Sequence, residues 1–122
     1  MKRNMELIRQ LAIHIEAASG LLPSNEIEID PYSQDEITYH CGLMNEANLI
    51  VTGDVADDGD MLIERLTWSG HDFLDAAKDD KLWNRVTKTI KERVTSVTFD
   101  GLMSLLKVSA QRVLTEGVDL LR

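Results

Sequence analysis

SQDEITYHCGLMNEANLIVTGDVADDGDMLIERL, the stretch from Ser33 to Leu66, decides the fold. Ser33-Gln34-Asp35-Glu36 has the form of a capping box, in which the Ser33 hydroxyl accepts from the third helical N–H and Glu36 reaches back. Behind it Ile37, Cys41, Met44 and Ala47 recur at three- and four-residue steps, the apolar stripe of a helix. Asn48 tolerates the left-handed backbone that ends a helix, so a strand is expected from Leu49 to Val55. Ala56-Asp57-Asp58-Gly59-Asp60 is turn chemistry and Met61 to Leu66 resumes the apolar pattern, which together read as a β-hairpin. Thr67 then caps a helix through Leu74, and Gly70 in its first turn permits a close approach to a neighbour.

Upstream, Met5, Ile8, Leu11, Ala12 and Ile15 mark the buried face of another helix, with Asn4 as its N-cap and Gly20 placed for a left-handed C-terminal cap. Between them, Pro23 and Pro31 bracket Glu26-Ile27-Glu28-Ile29, an alternation expected to form one half-buried strand. Downstream, Leu82, Val86 and Ile90 predict a helix over about Lys81 to Arg93. After the β-branched stretch Val94 to Thr98, a last helix runs from Phe99 to Leu121, with Phe99, Leu102, Leu106, Val113 and Leu120 at helical steps. Trp68 and Trp83 are expected as core anchors for the later helices.

A chain of 122 residues, 43% apolar and 28% charged, fits one globular domain and excludes wholesale disorder. The lone Cys41 excludes an internal disulfide framework and suits a reducing compartment. No run approaches the length of a membrane span and the opening turns charged at once, so a soluble cytoplasmic protein is expected.

Helix, short strand, helix, two-stranded wing, helix is the plan of a winged helix whose usual second helix has shrunk. Glu36 to Ile50 resembles the recognition helix and first wing strand of winged-helix repressors, and Arg65 to Leu74 resembles their wing-to-helix junction. With the opening Met1-Lys2-Arg3-Asn4-Met5 and the string LTWSGHDFLDAA from Leu66 to Ala77, the chain is similar nearly end to end to a family of short phage, prophage and bacterial proteins of unknown function. Asn48 and Asn4 stand where such proteins usually carry Gly and Asp, and both keep the capping role. The resemblance implies an α+β fold, a modified winged helix over about residues 1–80 with extra helices over about 81–122 of a single domain. It brings no established activity.

A recognition helix gains affinity by neutralising phosphates with Lys and Arg. From Ser24 to Glu64 this chain has eleven Asp and Glu and no Lys or Arg. Gln34, Thr38, Tyr39 and Asn45 offer hydrogen bonds to bases, but nothing nearby holds a duplex, so charge disfavours DNA on this face. Positive charge lies instead on Lys78, Lys81, Arg85 and Lys88, spaced to share one helical face, within a segment (78–93) of net charge +3. That stripe reads as a solvated outer face, with a contact to a partner (such as the acidic half of a second copy) or to nucleic acid as alternatives.

Other chemistry is sparse. His40 and Cys41 are adjacent and point about 100° apart on a helix, so they form neither a chelate nor a thiolate–imidazole pair, and Cys41 suits a core position. Asp54 to Arg65 brushes a calcium loop but has Ala56 and Arg65 where ligands are required. His71 and Asp75 are spaced for a helical ion pair. No phosphate-binding, dinucleotide or nucleophile-elbow motif is present, so neither cofactor, metal nor catalysis is expected. The terminal helix is apolar on more than one side (Leu105, Leu114, Val118, Leu121), which leaves open intrachain packing or a homodimer through it. The expectation is a non-enzymatic interaction module, regulatory in character, offering Asp35, Glu36, Asn45, Glu46, Asp57, Asp58 and Asp60 to a basic protein partner. The alternative is a winged-helix transcription regulator that reads DNA.

Overall fold

A computed structural model describes residues 1–93 and 97–120, with side chains up to Thr115. Val94, Thr95, Ser96, Leu121 and the side chains of Val118 and Leu120 lie outside the described residues. The fold is α+β: five α-helices and one three-stranded antiparallel sheet among the described residues. The chain divides into two compact units, Met1–Leu74 and Asp75–Arg122.

In the first unit, α1 (Met5–Ala17) starts where the Asn4 side chain accepts from the Leu7 N–H and buries Leu7, Ile8, Leu11, Ala12 and Ile15. Its end differs from the sequence reading. Gly20 is not left-handed; the helix leaves through Ala18 in extended backbone, whose N–H reaches the Ile15 carbonyl, so no left-handed cap is needed.

The first strand is also displaced. β1 is Leu22–Pro23, paired with Ile63 and Leu62, while Ser24–Glu26 forms a single 3-10 turn. Glu26 to Ile29 alternates in burial as read, with Ile27 and Ile29 inside, but has no strand to join. The central strand β3 (Met61–Leu66) already pairs β1 on one side and β2 (Ile50–Val55) on the other. Ser24 continues the ladder by other means, its Oγ accepting from the Met61 N–H at 3.0 Å.

α2 (Gln34–Glu46) carries the complete capping box of Ser33 and Glu36 and buries Ile37, His40, Cys41 and Met44. Ala47, read as part of that stripe, is exposed because the helix has ended there. Asn48 is left-handed at φ 59°, and the Leu49 N–H returns to the Met44 carbonyl at 2.9 Å, a Schellman-type stop. The hairpin turns through Ala56–Asp60, where Gly59 at φ 91° follows a tight turn closed by its own N–H to the Ala56 carbonyl.

α3 (Trp68–Ala77) begins with Thr67 Oγ1 accepting from the Gly70 N–H at 3.0 Å. Its inward face is Gly70, Phe73, Leu74 and Ala77, all buried. Trp68 projects on the opposite face and is 84% exposed, so it is not the core anchor the sequence suggested. Trp83 is buried.

In the second unit, Asp79 caps α4 (Asp80–Arg93) by accepting from the Leu82 N–H, and Thr98 caps α5 (Phe99–Leu120) by accepting from the Gly101 N–H. The two helices pack together, burying Trp83, Val86, Leu102 and Leu106.

Two glycines give opposite expectations. A Cβ on Gly70 would collide with the Leu49 carbonyl oxygen, a backbone atom that cannot swing aside, whereas one on Gly42 meets nothing within 4 Å. Gly70→Ala should therefore cost about 3 kcal/mol or more. Gly42→Ala, mid-helix, should stabilise by about 1 kcal/mol. Urea denaturation of both variants measures this; a tolerated Gly70→Ala would contradict the close approach.

Candidate acidic cleft

α2 presents Asp35, Thr38, Tyr39, Gly42, Asn45 and Glu46 away from the α1 side, on the face that the hairpin overlooks. Across from them stand Val55, Asp58, Gly59, Asp60 and Met61, and the space between is a cleft of about 720 Å³, with Met1 and Leu43 also in its lining. Its charged side chains (Asp35, Glu46, Asp58 and Asp60) are all carboxylates, and its apolar side chains are those of Met1, Leu43, Val55 and Met61.

The hydrogen bonds holding this arrangement begin at Ser24. Gln34 Nε2 donates to the Ser24 carbonyl at 3.0 Å and to Thr38 Oγ1 at 3.2 Å. Thr38 Oγ1 donates a long bond to Asp60 Oδ1 (3.5 Å), and Asn25 Nδ2 donates to Asp60 Oδ2 at 3.3 Å. Asp58 Oδ1 accepts from the Asp60 N–H at 3.0 Å, an Asx-type bond that braces the turn. Gly59 lets the turn lie close to α2, since a Cβ there would sit 3.1 Å from Thr38 Cγ2.

The seven residues singled out on this face thus have different surroundings. Asp35, Asn45, Glu46, Asp58 and Asp60 share the cleft. Glu36 Oε1 accepts from the Ser33 N–H at 3.1 Å, in the capping box, and Asp57 stands exposed at the hairpin tip outside the lining. The apolar lining residues Leu43, Val55 and Met61 are not singled out by the sequence reading. Neither are Ser24 and Asn25, whose only sequence signal is polarity beside Pro23.

Lys81, Arg85 and Lys88 lie exposed on one side of α4. Lys78 is not on that helix; it sits in the connection from α3, with Nζ 3.6 Å from Asp75 Oδ1. Asp75 therefore meets Lys78, and His71 Nδ1 lies 3.8 Å from Glu16 Oε2 instead of pairing with Asp75. Helical spacing permits the His71–Asp75 pair, but the ring meets Glu16 of α1 while Asp75 meets Lys78.

His40 is buried, with Nε2 accepting from the Asn4 N–H at 2.8 Å and Nδ1 2.7 Å from the Glu36 carbonyl. An accepting Nε2 leaves the proton on Nδ1, which donates, so the ring is a neutral tie between the start of α1 and the middle of α2. Cys41 is fully buried, and loss of hydration pushes its thiol from 9.0 up to about 12. Among the described residues no group of three or more His, Cys, Asp or Glu is placed to hold a metal ion. No helix among them is long and apolar enough to cross a membrane.

Residues 2–97 match the family described as Hypothetical protein (DUF2513). An uncharacterized protein of Haemophilus influenzae is 32% identical over 120 residues, spanning 93% of this chain and 99% of the relative. No solved structure matches the chain. The chain belongs to the DUF2513 family.

The buried thiol has a consequence with a definite sign. Above pH 9 the unfolded chain loses the Cys41 proton while the folded chain keeps it up to about 12, so the unfolded state binds fewer protons and stability falls as pH rises. The stability difference between wild type and Cys41→Ala should accordingly shrink through this range, with a slope approaching about 1.4 kcal/mol per pH unit. Denaturant melts of both chains from pH 8 upward measure it, and a pH-independent difference would contradict the assignment.

Proposed function

We propose that this member of the DUF2513 family is a small, non-enzymatic cytoplasmic interaction module of phage or prophage type, regulatory in character. On this reading its α2–hairpin cleft receives a basic segment of a protein partner. The observation that carries the reading is the cleft itself: about 720 Å³, lined by apolar side chains and by charged side chains that are all Asp or Glu. An aliphatic stem ending in a cation fits that combination, since Lys and Arg lay their methylenes on apolar surface while the charged head stays at the rim. Tyr39, 41% exposed beside Asp35, adds an aromatic face for a guanidinium.

The second reading is a winged-helix regulator that binds DNA. The sheet order β1-β3-β2 and the placement of α2 before the hairpin favour a winged-helix plan, with the Ser24–Glu26 turn in the position of a shrunken second helix. Charge opposes the DNA-binding half of that reading, because each phosphate approaching α2 meets carboxylates where counterion release should supply affinity.

A fluorescent oligo-arginine peptide and a mixed-sequence DNA duplex, each titrated at about 50 mM salt, separate the two. The peptide should bind and weaken as salt rises, and Asp35→Lys/Glu46→Lys/Asp57→Lys should reduce that binding at least about tenfold. These positions avoid Glu36, Asp58 and Asp60, whose carboxylates hold the cap and the turn. Micromolar binding of the duplex together with indifference to the peptide would overturn the acidic-cleft reading in favour of DNA.

A further inference from the structure

The acidic face has a counterpart on the same chain. Lys81, Arg85 and Lys88 lie within about 60° of one another around α4, on an exposed side. None of the three forms an ion pair among the described residues. Trp83 and Val86, on the inward side, are buried, so the stripe is held on a helix whose other face is anchored. Folding does not call for this grouping: helix-stabilising cations belong in the last turn, where Lys91 and Arg93 already stand.

We propose that the α4 stripe of one molecule docks on the α2–hairpin face of a second copy. The proposal rests on the reading of that face as a receptor for basic segments, and names the segment. Charge complementarity selects the occupant. Residues 24–64 hold eleven acids without one Lys or Arg, residues 78–93 carry +3, and every copy presents both. The contact joins two different surfaces, so it closes reciprocally into a dimer or extends into rings or chains. Because both surfaces are exposed and charged, the contact is weak, salt-sensitive and dependent on concentration. The exposed apolar residues of α5 supply the rival explanation for self-association. Leu105 and Val108 share one side of that helix, while Val113 turns to another and Leu114 to the opposite one, so the four do not form one stripe that a second copy would cover.

Sedimentation velocity of the full chain tests the proposal. At about 50 mM salt the average mass should rise above 13.7 kDa with protein concentration, and fall back to it at about 500 mM. Lys81→Glu/Arg85→Glu/Lys88→Glu alone and Asp35→Lys/Glu46→Lys/Asp57→Lys alone should each stay monomeric, with association weakened at least about tenfold. A mixture of the two reversed chains should associate again, since each then offers the complement of the other's altered surface. Circular dichroism checks that both variants fold, and the wild-type salt series stands without them. A mass fixed at the monomer value at all concentrations overturns the proposal, as does a mixture that stays monomeric. Association indifferent to salt and to both reversals also overturns it, assigning the contact to α5. Oligo-arginine binding by a chain that never self-associates sinks this proposal while leaving the cleft reading intact; loss of both removes the reading too.

Discussion

Thr67 sits where four elements meet, and the rest of the first unit depends on the bonds around it. Its N–H reaches the Leu49 carbonyl at 2.9 Å, and its hydroxyl donates to the Asn48 carbonyl at 2.7 Å while accepting from Gly70. Asn48 ends α2, Leu49 leads into β2, Leu66 ends β3 and Gly70 opens α3. The close seat of Gly70 against Leu49 is possible only without a side chain at that position. One threonine therefore fixes the exit of the helix, the start and end of the hairpin and the angle at which α3 departs.

The cleft inherits its shape from that joint and from a second one at its other end. There Ser24 receives the Met61 N–H through its hydroxyl and Gln34 through its carbonyl, which ties the start of α2 to the start of β3. With α2 and the hairpin pinned at both ends, the carboxylates of Asp58 and Asp60 are brought near those of Asp35 and Glu46 by covalent and hydrogen-bonded geometry. Their mutual repulsion is moderated by water and by the donors Asn25 and Thr38.

Features governed by local rules were legible in the sequence. Asn4, the Ser33–Glu36 box, the left-handed Asn48, the Gly59 turn and the Thr67 cap each satisfy backbone groups within a few residues, so identity and spacing suffice. Features that depended on a distant partner were not. Ile27 and Ile29 are buried as their alternation suggests, yet whether they form a strand was decided by β3, which had both neighbours already. Trp68 has the size of a core residue, but the inward side of α3 is settled by where Gly70, Phe73 and Leu74 fall. For the cleft, sequence revealed the density of acids. It did not reveal which of them are committed to hydrogen bonds, because that follows from how the hairpin lies over α2.

Folding accounts for some of these acids and not for others. Glu36 closes a cap, Asp58 braces a turn, Asp60 anchors the hairpin, and Asp35 in the first turn of α2 favours the helix dipole. Glu46 has no such account. It occupies the last helical position of α2, a turn without any basic residue, where a negative charge opposes the dipole by about 0.3–1 kcal/mol. Asp57 makes no hydrogen bond or ion pair among the described residues, and adds charge to an already acidic tip. Local consistency is what makes a sequence fold, and departures from it concentrate where something besides folding constrains the chain. Glu46 lines the cleft at the end of α2, and Asp57 stands exposed at the hairpin tip, outside the lining. These two carboxylates are the ones on this face that folding leaves unexplained.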